Sequence, residues 1–272
     1  TLSASEIEYI LNDSSAKTIL AGSPFLFRKI LKIANNCPEL QRIIPVFDDY
    51  EKYLPEYGLN AGVISFKNLI EEGKNVIESQ QNKINEARAS VLASDLSSLI
   101  YTSGTTGIPK GVMLTHSNFV QNVKVCLEQI PVIDENDVFL SFLPLSHVFE
   151  RTATYHVCCA VGSKIAFAQS LELLAKNMAE VKPTIMSCVP RLLERIHDKA
   201  MKNGTSAGGF KSKIFLWSIE TGQHYREVKE AGKTPGLILS MKKSIAEKLV
   251  FSKIKEKTGG RLKFMLSGGA AL

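Results

Sequence analysis

The chain has 272 residues, 44% of them hydrophobic and 22% charged, with 33 Lys and Arg against 27 Asp and Glu for a formal net charge of +6. That length supports a large core in one or two domains, and the balance excludes a disordered or fibrous chain. Interleaved aromatics of a nucleic-acid module, a signal peptide at Thr1-Leu-Ser-Ala-Ser-Glu6 and an uninterrupted membrane-length apolar run are all absent from the sequence, the nearest run (153–168) being broken by His156 and Lys164.

Strand-like and helix-like segments alternate. Ser3-x-x-Glu6 is a capping-box pattern ahead of Ile7, Ile10 and Leu11 at helical spacing. Thr18–Ala21 reads as a short strand, and Ser23-Pro24 opens a second helix with proline at its first position. Arg42–Phe47 reads as a strand whose Pro45 belongs at an edge or an end. Residues 65–90 are helix-prone and polar, a surface helix and connector. The apolar run 96–100 reads as a buried strand end, and it empties into Tyr101-Thr-Ser-Gly-Thr-Thr-Gly-Ile-Pro-Lys-Gly111.

Beyond that loop Thr115 is placed to cap a helix carrying Phe119, Val123, Cys126, Leu127 and Ile130 on one face. Val138–Leu143 is a continuous apolar run suited to a strand buried on both faces, and it stops at Pro144-Leu-Ser-His147, where another helix starts. A strand at 164–168, a helix at 171–181 and a strand at 184–189 follow. Pro190 then starts a helix through Ile196. Residues 203–212 are loop by composition, and 213–258 read as mostly helical with a break around 232–236. Arg261–Leu266 is a last strand, leading into Ser267-Gly-Gly-Ala-Ala-Leu272. The alternation predicts an α/β fold, mainly parallel β-sheets flanked by helices.

Five cysteines, an odd number with two adjacent and no C-x-x-C pair, point to reduced thiols in a cytoplasmic protein. His116, His156, His197 and His224 show no metal-site spacing and read as structural or surface residues, and Trp217 reads as core. The lysine-rich stretch from Lys242 to Lys263 is either a solvated face or an attractor of anions such as nucleotide, coenzyme or acidic lipid headgroups.

The segment at 101–111 carries most of the chemistry. Glycines let backbone N–H groups converge on an anion, hydroxyls add donors and a lysine adds charge. It is not a Walker-type loop, because Pro109 and Lys110 follow Gly107-Ile108 and Gly111 follows the lysine. The pattern Tyr-Thr-Ser-Gly-Thr-Thr-Gly-x-Pro-Lys-Gly strongly resembles the phosphate loop of the acyl-adenylating, AMP-forming superfamily. Phe142-Leu-Pro-Leu-Ser-His-Val-Phe-Glu-Arg151, Val189-Pro-Arg-Leu-Leu-Glu-Arg-Ile196 and Gly259-Gly-Arg-Leu-Lys-Phe-Met-Leu-Ser-Gly-Gly-Ala270 resemble its long-chain fatty acyl-CoA synthetase branch. The resemblance spans nearly the whole chain and is least specific at about 48–90 and 203–245.

That resemblance implies part of the large N-terminal domain of such an enzyme over 1–272, with ATP, Mg2+ and coenzyme A as co-substrates and a fatty acid as substrate. Thr102, Ser103, Gly104, Thr105, Thr106, Gly107 and Lys110 would embrace the β- and γ-phosphates, with Thr105 also near the metal. His147 would lie beside the acyl carboxylate, and Gly268, Gly269 and Ala270 would line the adenine and acyl pocket. Lys110 and His147 are the residues implied to act on the reacting groups. Glu150 and Arg151 read as pairing with each other or with neighbours on their helix. The family's Thr-Glu segment, ribose-binding Asp and small C-terminal domain are not matched, so an internal, inactive piece is expected. Transfer to an acyl-carrier protein and a non-catalytic nucleotide-binding module are the alternatives. No nucleic-acid partner is expected, while peripheral membrane contact and oligomeric state stay open.

Overall fold

A computed structural model of the chain describes residues 2–55, 58–102, 108–206 and 208–269, which fall into two compact units, Thr1–Asn118 and Phe119–Leu272.

In the first unit, α1 (Ala4–Asp13) is opened by the expected box: Glu6 N–H donates to the Ser3 hydroxyl and Ser3 N–H to the Glu6 carboxylate. Strands β1 (Thr18–Ala21), β2 (Arg42–Pro45) and β3 (Gly62–Val63) form a parallel sheet in that order. Pro45 holds the last ladder position on β2, and β3 pairs only Arg42 and Ile43, so the missing N–H is not needed there. α2 (Pro24–Ile33), capped by Ser23, buries Phe27, Ile30 and Leu31 against Ile7, Leu11 and Ile43. Burying a side chain such as Phe27 contributes about 2–3 kcal/mol. α3 (Phe66–Ser90) has no buried residue and is the expected surface helix.

β4 (Leu96–Thr102) and β5 (Lys110–Thr115) form an antiparallel hairpin, an exception to the parallel rule. β4 is half-buried rather than buried, with Leu96 exposed, because as one half of a two-stranded ribbon it is covered by few neighbours. α4 (His116–Gln129) is capped reciprocally, Asn118 N–H donating to the Thr115 hydroxyl and Thr115 N–H to the Asn118 side chain.

The second unit is built on a four-stranded parallel sheet ordered β7 (Lys164–Phe167), β6 (Val138–Ser141), β8 (Ile185–Cys188), β9 (Phe264–Ser267). Phe139 and Leu140 of central β6 are both fully buried, on opposite faces, as a continuous apolar run requires. Val123, Cys126, Leu127 and Ile130, from the face named in the sequence, pack on one side of this sheet; Leu174 and Met178 of α7 (Leu174–Val181) pack on Leu140 and Met186 on the other.

Three residues placed just before β6, β8 and β9 make one polar clamp. The Thr184 hydroxyl donates to Asp137 Oδ1 (2.6 Å), Lys263 Nζ lies 2.8 Å from the same oxygen, and Asp134 N–H donates to Oδ2 (3.0 Å). Val138 N–H also donates to the Thr184 hydroxyl, and Lys263 N–H to the Thr184 carbonyl. Asp137 is fully buried. A buried carboxylate is tolerated only when its lone pairs are taken up, and here they are.

α8 (Pro190–Ser206) and α9 (Gly209–Glu230) correct the sequence reading of 203–212 as loop. The helix runs through Asn203-Gly-Thr-Ser, and a Cβ at Gly204 would come within 2.4 Å of the Phe215 ring. Tertiary packing of two helices overrides local composition. The break expected near 232–236 lies between α9 and α10 (Leu237–Ala246), which continues through a π-helical stretch (Glu247–Phe251) into α11 (Ser252–Lys257). Trp217 is half-buried rather than core.

The clamp sets a pH dependence. Burial alone would raise the Asp137 carboxyl, but bonds from Lys263, Thr184 and the Asp134 backbone outweigh it and hold the group below the ordinary carboxylate range. Its contribution is therefore present above about pH 4 and lost as pH falls through the lower folded-state value. Asp137→Asn is expected to lower stability at neutral pH by about 2 kcal/mol, read from urea unfolding. The gap from wild type should shrink as the pH drops below about 4; a gap that persists undiminished in acid contradicts the clamp.

Candidate functional site

The sequence-predicted residues fall on two places, one in each unit. In the first unit, β4 delivers Thr102 and β5 begins at Lys110, and these two are paired across the hairpin, both exposed. The hydroxyl and the ammonium thus stand at the two feet of the loop that joins the strands. Ser103, Gly104, Thr105, Thr106 and Gly107 lie outside the described residues. One pair further down, Tyr101 faces Gly111, and a Cβ on Gly111 would sit 3.1 Å from the phenol ring carbon. This explains the glycine after the lysine: the Tyr101 ring lies over it.

The Tyr101 hydroxyl donates to Asp13 Oδ2 (2.5 Å), tying the hairpin to the end of α1. Burial and the hydrogen bond to the Asp13 carboxylate push the phenol up to about 12. Sequence reasoning gave Tyr101 no structural role; only its place beside Thr102 marked it.

In the second unit, the chemistry gathers at the C-terminal ends of the parallel strands. β6 leads to β7 on one side and β8 to β9 on the other, so β6 and β8 flank a topological switch point, where open α/β sheets form ligand crevices. His147 follows β6 and caps α5 (Val148–Glu150); its Nδ1 accepts from Phe149 N–H at 3.2 Å. An accepting Nδ1 leaves Nε2 to carry the proton of the neutral ring. The imidazole is exposed and Nε2–H is a donor directed away from the cap.

Gly268 follows β9, its N–H donating to the Cys188 carbonyl of β8 at 3.1 Å. A Cβ there would meet the Phe149 ring at 2.5 Å. His147 and Gly268 are therefore joined through Phe149, which accepts no substitute for glycine beneath its ring. Gly269 follows with φ +84°, and Ala270 lies outside the described residues.

Glu150 corrects the sequence reading. It is fully buried and accepts from the Ser141 hydroxyl of β6 at 2.6 Å, instead of meeting Arg151. Burial pushes its carboxyl above the ordinary range against the opposing Ser141 and Thr154 hydroxyls, and its Oε2 has no partner among the described polar atoms. The helix here is π-helical over Arg151–His156, and the Thr154 hydroxyl donates to Ser187 of β8 at 2.8 Å. The packing of Phe149, Glu150 and Thr154 was missed because each reads as an ordinary helix residue; the signal for the first two was their place in the segment 142–151 with His147. His156 packs its ring on Phe119 at 4.6 Å, a structural place.

The AMP-binding enzyme family matches residues 1–272. Long-chain-fatty-acid–CoA ligase FadD15 of Mycobacterium tuberculosis is 30% identical over 276 residues, covering 100% of this chain and 42% of that protein. Long-chain-fatty-acid–CoA ligase 1 of Cavia porcellus is 34% identical over 278 residues, covering 99% of this chain and 37% of that protein. The chain thus spans less than half the length of these curated relatives. Among solved structures, the adenylation domain of a carboxylate reductase from Mycobacterium chelonae aligns with a TM-score of 0.64 at 20% identity, over 100% of this chain and 38% of that one. The corresponding domain from Segniliparus rugosus, solved with AMP and a co-purified carboxylic acid, aligns at 0.61 and 17% identity over 100% of this chain and 40% of that one. These two likenesses carry the fold alone: an α/β fold shared with those adenylation domains.

Ultraviolet titration, with Tyr101→Phe subtracted, checks the hairpin tie. The Tyr101 phenol is expected to ionise near 12, and Asp13→Asn should bring it down toward about 10 without reaching it, since burial remains. Ionisation of Tyr101 at the ordinary tyrosine value in wild type contradicts the geometry.

Proposed function

This chain belongs to the AMP-binding enzyme family, and from that premise we propose that the protein is a long-chain fatty acid–CoA ligase. It would join a fatty carboxylate to the α-phosphate of ATP, releasing pyrophosphate, and then exchange AMP for coenzyme A to give the thioester. The observation that carries this reading is the pairing of Thr102 with Lys110 at the feet of a Gly/Thr loop, in a chain whose curated relatives are fatty acid–CoA ligases.

The chemical obstacle is charge. A carboxylate must approach a triphosphate, and like charges repel. Lys110 and the hydroxyls and N–H groups from Thr102 to Gly107 would hold the β- and γ-phosphates and stabilise the departing pyrophosphate. Magnesium would neutralise phosphate charge; this ion is typically held by substrate phosphates with few protein ligands, and the Thr105 hydroxyl would be this chain's contribution.

His147 would orient the carboxylate or the acyl phosphate by donating from Nε2, its ring held by the Phe149 N–H bond. It acts as a positioner and not as a base, since the carboxylate nucleophile carries no proton to remove. Gly268, Gly269 and Ala270 would let the backbone approach the ligand closely. Buried Glu150 would brace the helix that presents His147 against β6.

Lys110→Ala in the full-length protein is expected to lower fatty-acid-dependent AMP formation by about 10²–10³-fold, the range for removing one oriented charge stabiliser. Unchanged activity would remove Lys110 from the phosphate site. His147→Asn should lower kcat with a smaller change in the KM for ATP.

A further inference from the structure

A cleft of about 850 Å³ opens on the second unit, bounded by α7, the C-terminal half of α8, the start of α9 and residues 249–258. It lies among helices flanking the sheet, whereas His147 and Gly268 sit at the C-terminal strand ends. Its floor is apolar, including Met178, Ile196, Phe215 and Ile254. The Phe215 ring is drawn against α8 by Gly204, which fixes that wall. A concavity of this size and lining is in the usual range for a small-molecule site, about 300–1,000 Å³.

The rim has one sign of charge. Lys176, Lys199, Lys211, Lys253 and Lys257 line it, and among the described residues no Asp or Glu does. Lys176 is partly neutralised by Glu180 at 3.7 Å. Lys253 and Lys257 stand one helical turn apart on α11, so their ammonium groups reach the same edge. Lysine stems cover apolar surface while their charged ends reach outward, and ammonium groups gathered without a carboxylate are relieved by an anion. An apolar trough rimmed by cations complements a molecule with one long alkyl chain and an anionic head.

We propose that this cleft is a second binding site, separate from the adenylating site, for a long-chain fatty carboxylate. Its tail lies on the Met178–Phe215–Ile254 floor and its carboxylate among Lys199, Lys253 and Lys257. The tail and the charge are read from the cleft; the choice of carboxylate among anions rests on the proposed fatty-acid chemistry. The site would hold substrate near the enzyme or respond to its level.

Photolabelling of the full-length protein with a sixteen-carbon fatty acid bearing a diazirine on its chain, followed by peptide mapping, tests this. Label is expected in peptides covering 196–204 and 249–258. It should fall about tenfold in Lys199→Glu/Lys253→Glu, with fatty-acid-dependent pyrophosphate release retained; Lys199→Gln/Lys253→Gln should give a smaller loss. Label confined to peptides around 147–149 and 264–269 overturns the second site while leaving the ligase reading intact. Equal labelling by the matching long-chain alcohol overturns the anionic part, and labelling only when acidic vesicles are present overturns a free fatty acid as occupant. Cleft labelling without any pyrophosphate release would support the site while removing the ligase reading.

Discussion

Asp137 is a carboxylate with no exposure to water, and the starts of three strands of the second unit's sheet are tied together in satisfying it. Its partners come from the residues just before β8 and β9, Thr184 and Lys263, and from the turn before β6. One charge thereby fixes the N-terminal ends of three parallel strands. Removing a partner would leave a buried charge, which costs far more than an exposed pair gains. The same bonds set register: the Thr184 hydroxyl also accepts from Val138 N–H, so β6 and β8 cannot slide without breaking it.

Register at one end determines position at the other. With β6, β8 and β9 held together below, Ser141 and Ser187 arrive on one face of the sheet above, where they meet the helix that His147 opens. The Ser141–Glu150 and Thr154–Ser187 bonds then lock that helix to the sheet. The Phe149 ring closes over Gly268. A protonated Glu150 costs less to bury than an ionised one, and its raised proton affinity follows from that. Polar groups that are buried yet paired favour one geometry over near alternatives, which is what a site that must orient a carboxylate requires.

The alternation of strands and helices was legible because apolar runs such as Val138–Leu143 and faces such as Phe119–Val123–Ile130 report burial directly. The caps at Ser3 and Thr115 were legible because their chemistry is local. The clamp was not: Asp137, Thr184 and Lys263 are far apart in sequence, and each alone is an ordinary polar residue. Asn203-Gly-Thr-Ser reads as loop because its composition favours one, and only the Phe215 ring against Gly204 shows why it is helix. At the candidate site, Lys110 and His147 stood out by motif; Phe149 and Glu150 share the segment with His147, but how they hold the histidine and its helix was not legible. Ser103 to Gly107 and Ala270 are outside the described residues, so their roles rest on motif alone.

Two cation-bearing surfaces now have separate assignments: Lys110 beside the phosphate loop and the lysines around the helical cleft. The first assignment, and the choice of a carboxylate for the second, depend on the proposition that the protein activates fatty carboxylates with ATP. Isotope exchange between pyrophosphate and ATP measures that step without requiring coenzyme A. With the full-length protein and magnesium, exchange is expected only when a long-chain fatty acid is present and is expected to vanish with the matching alcohol. Exchange that ignores the fatty acid, or none at all with every component supplied, would contradict the account.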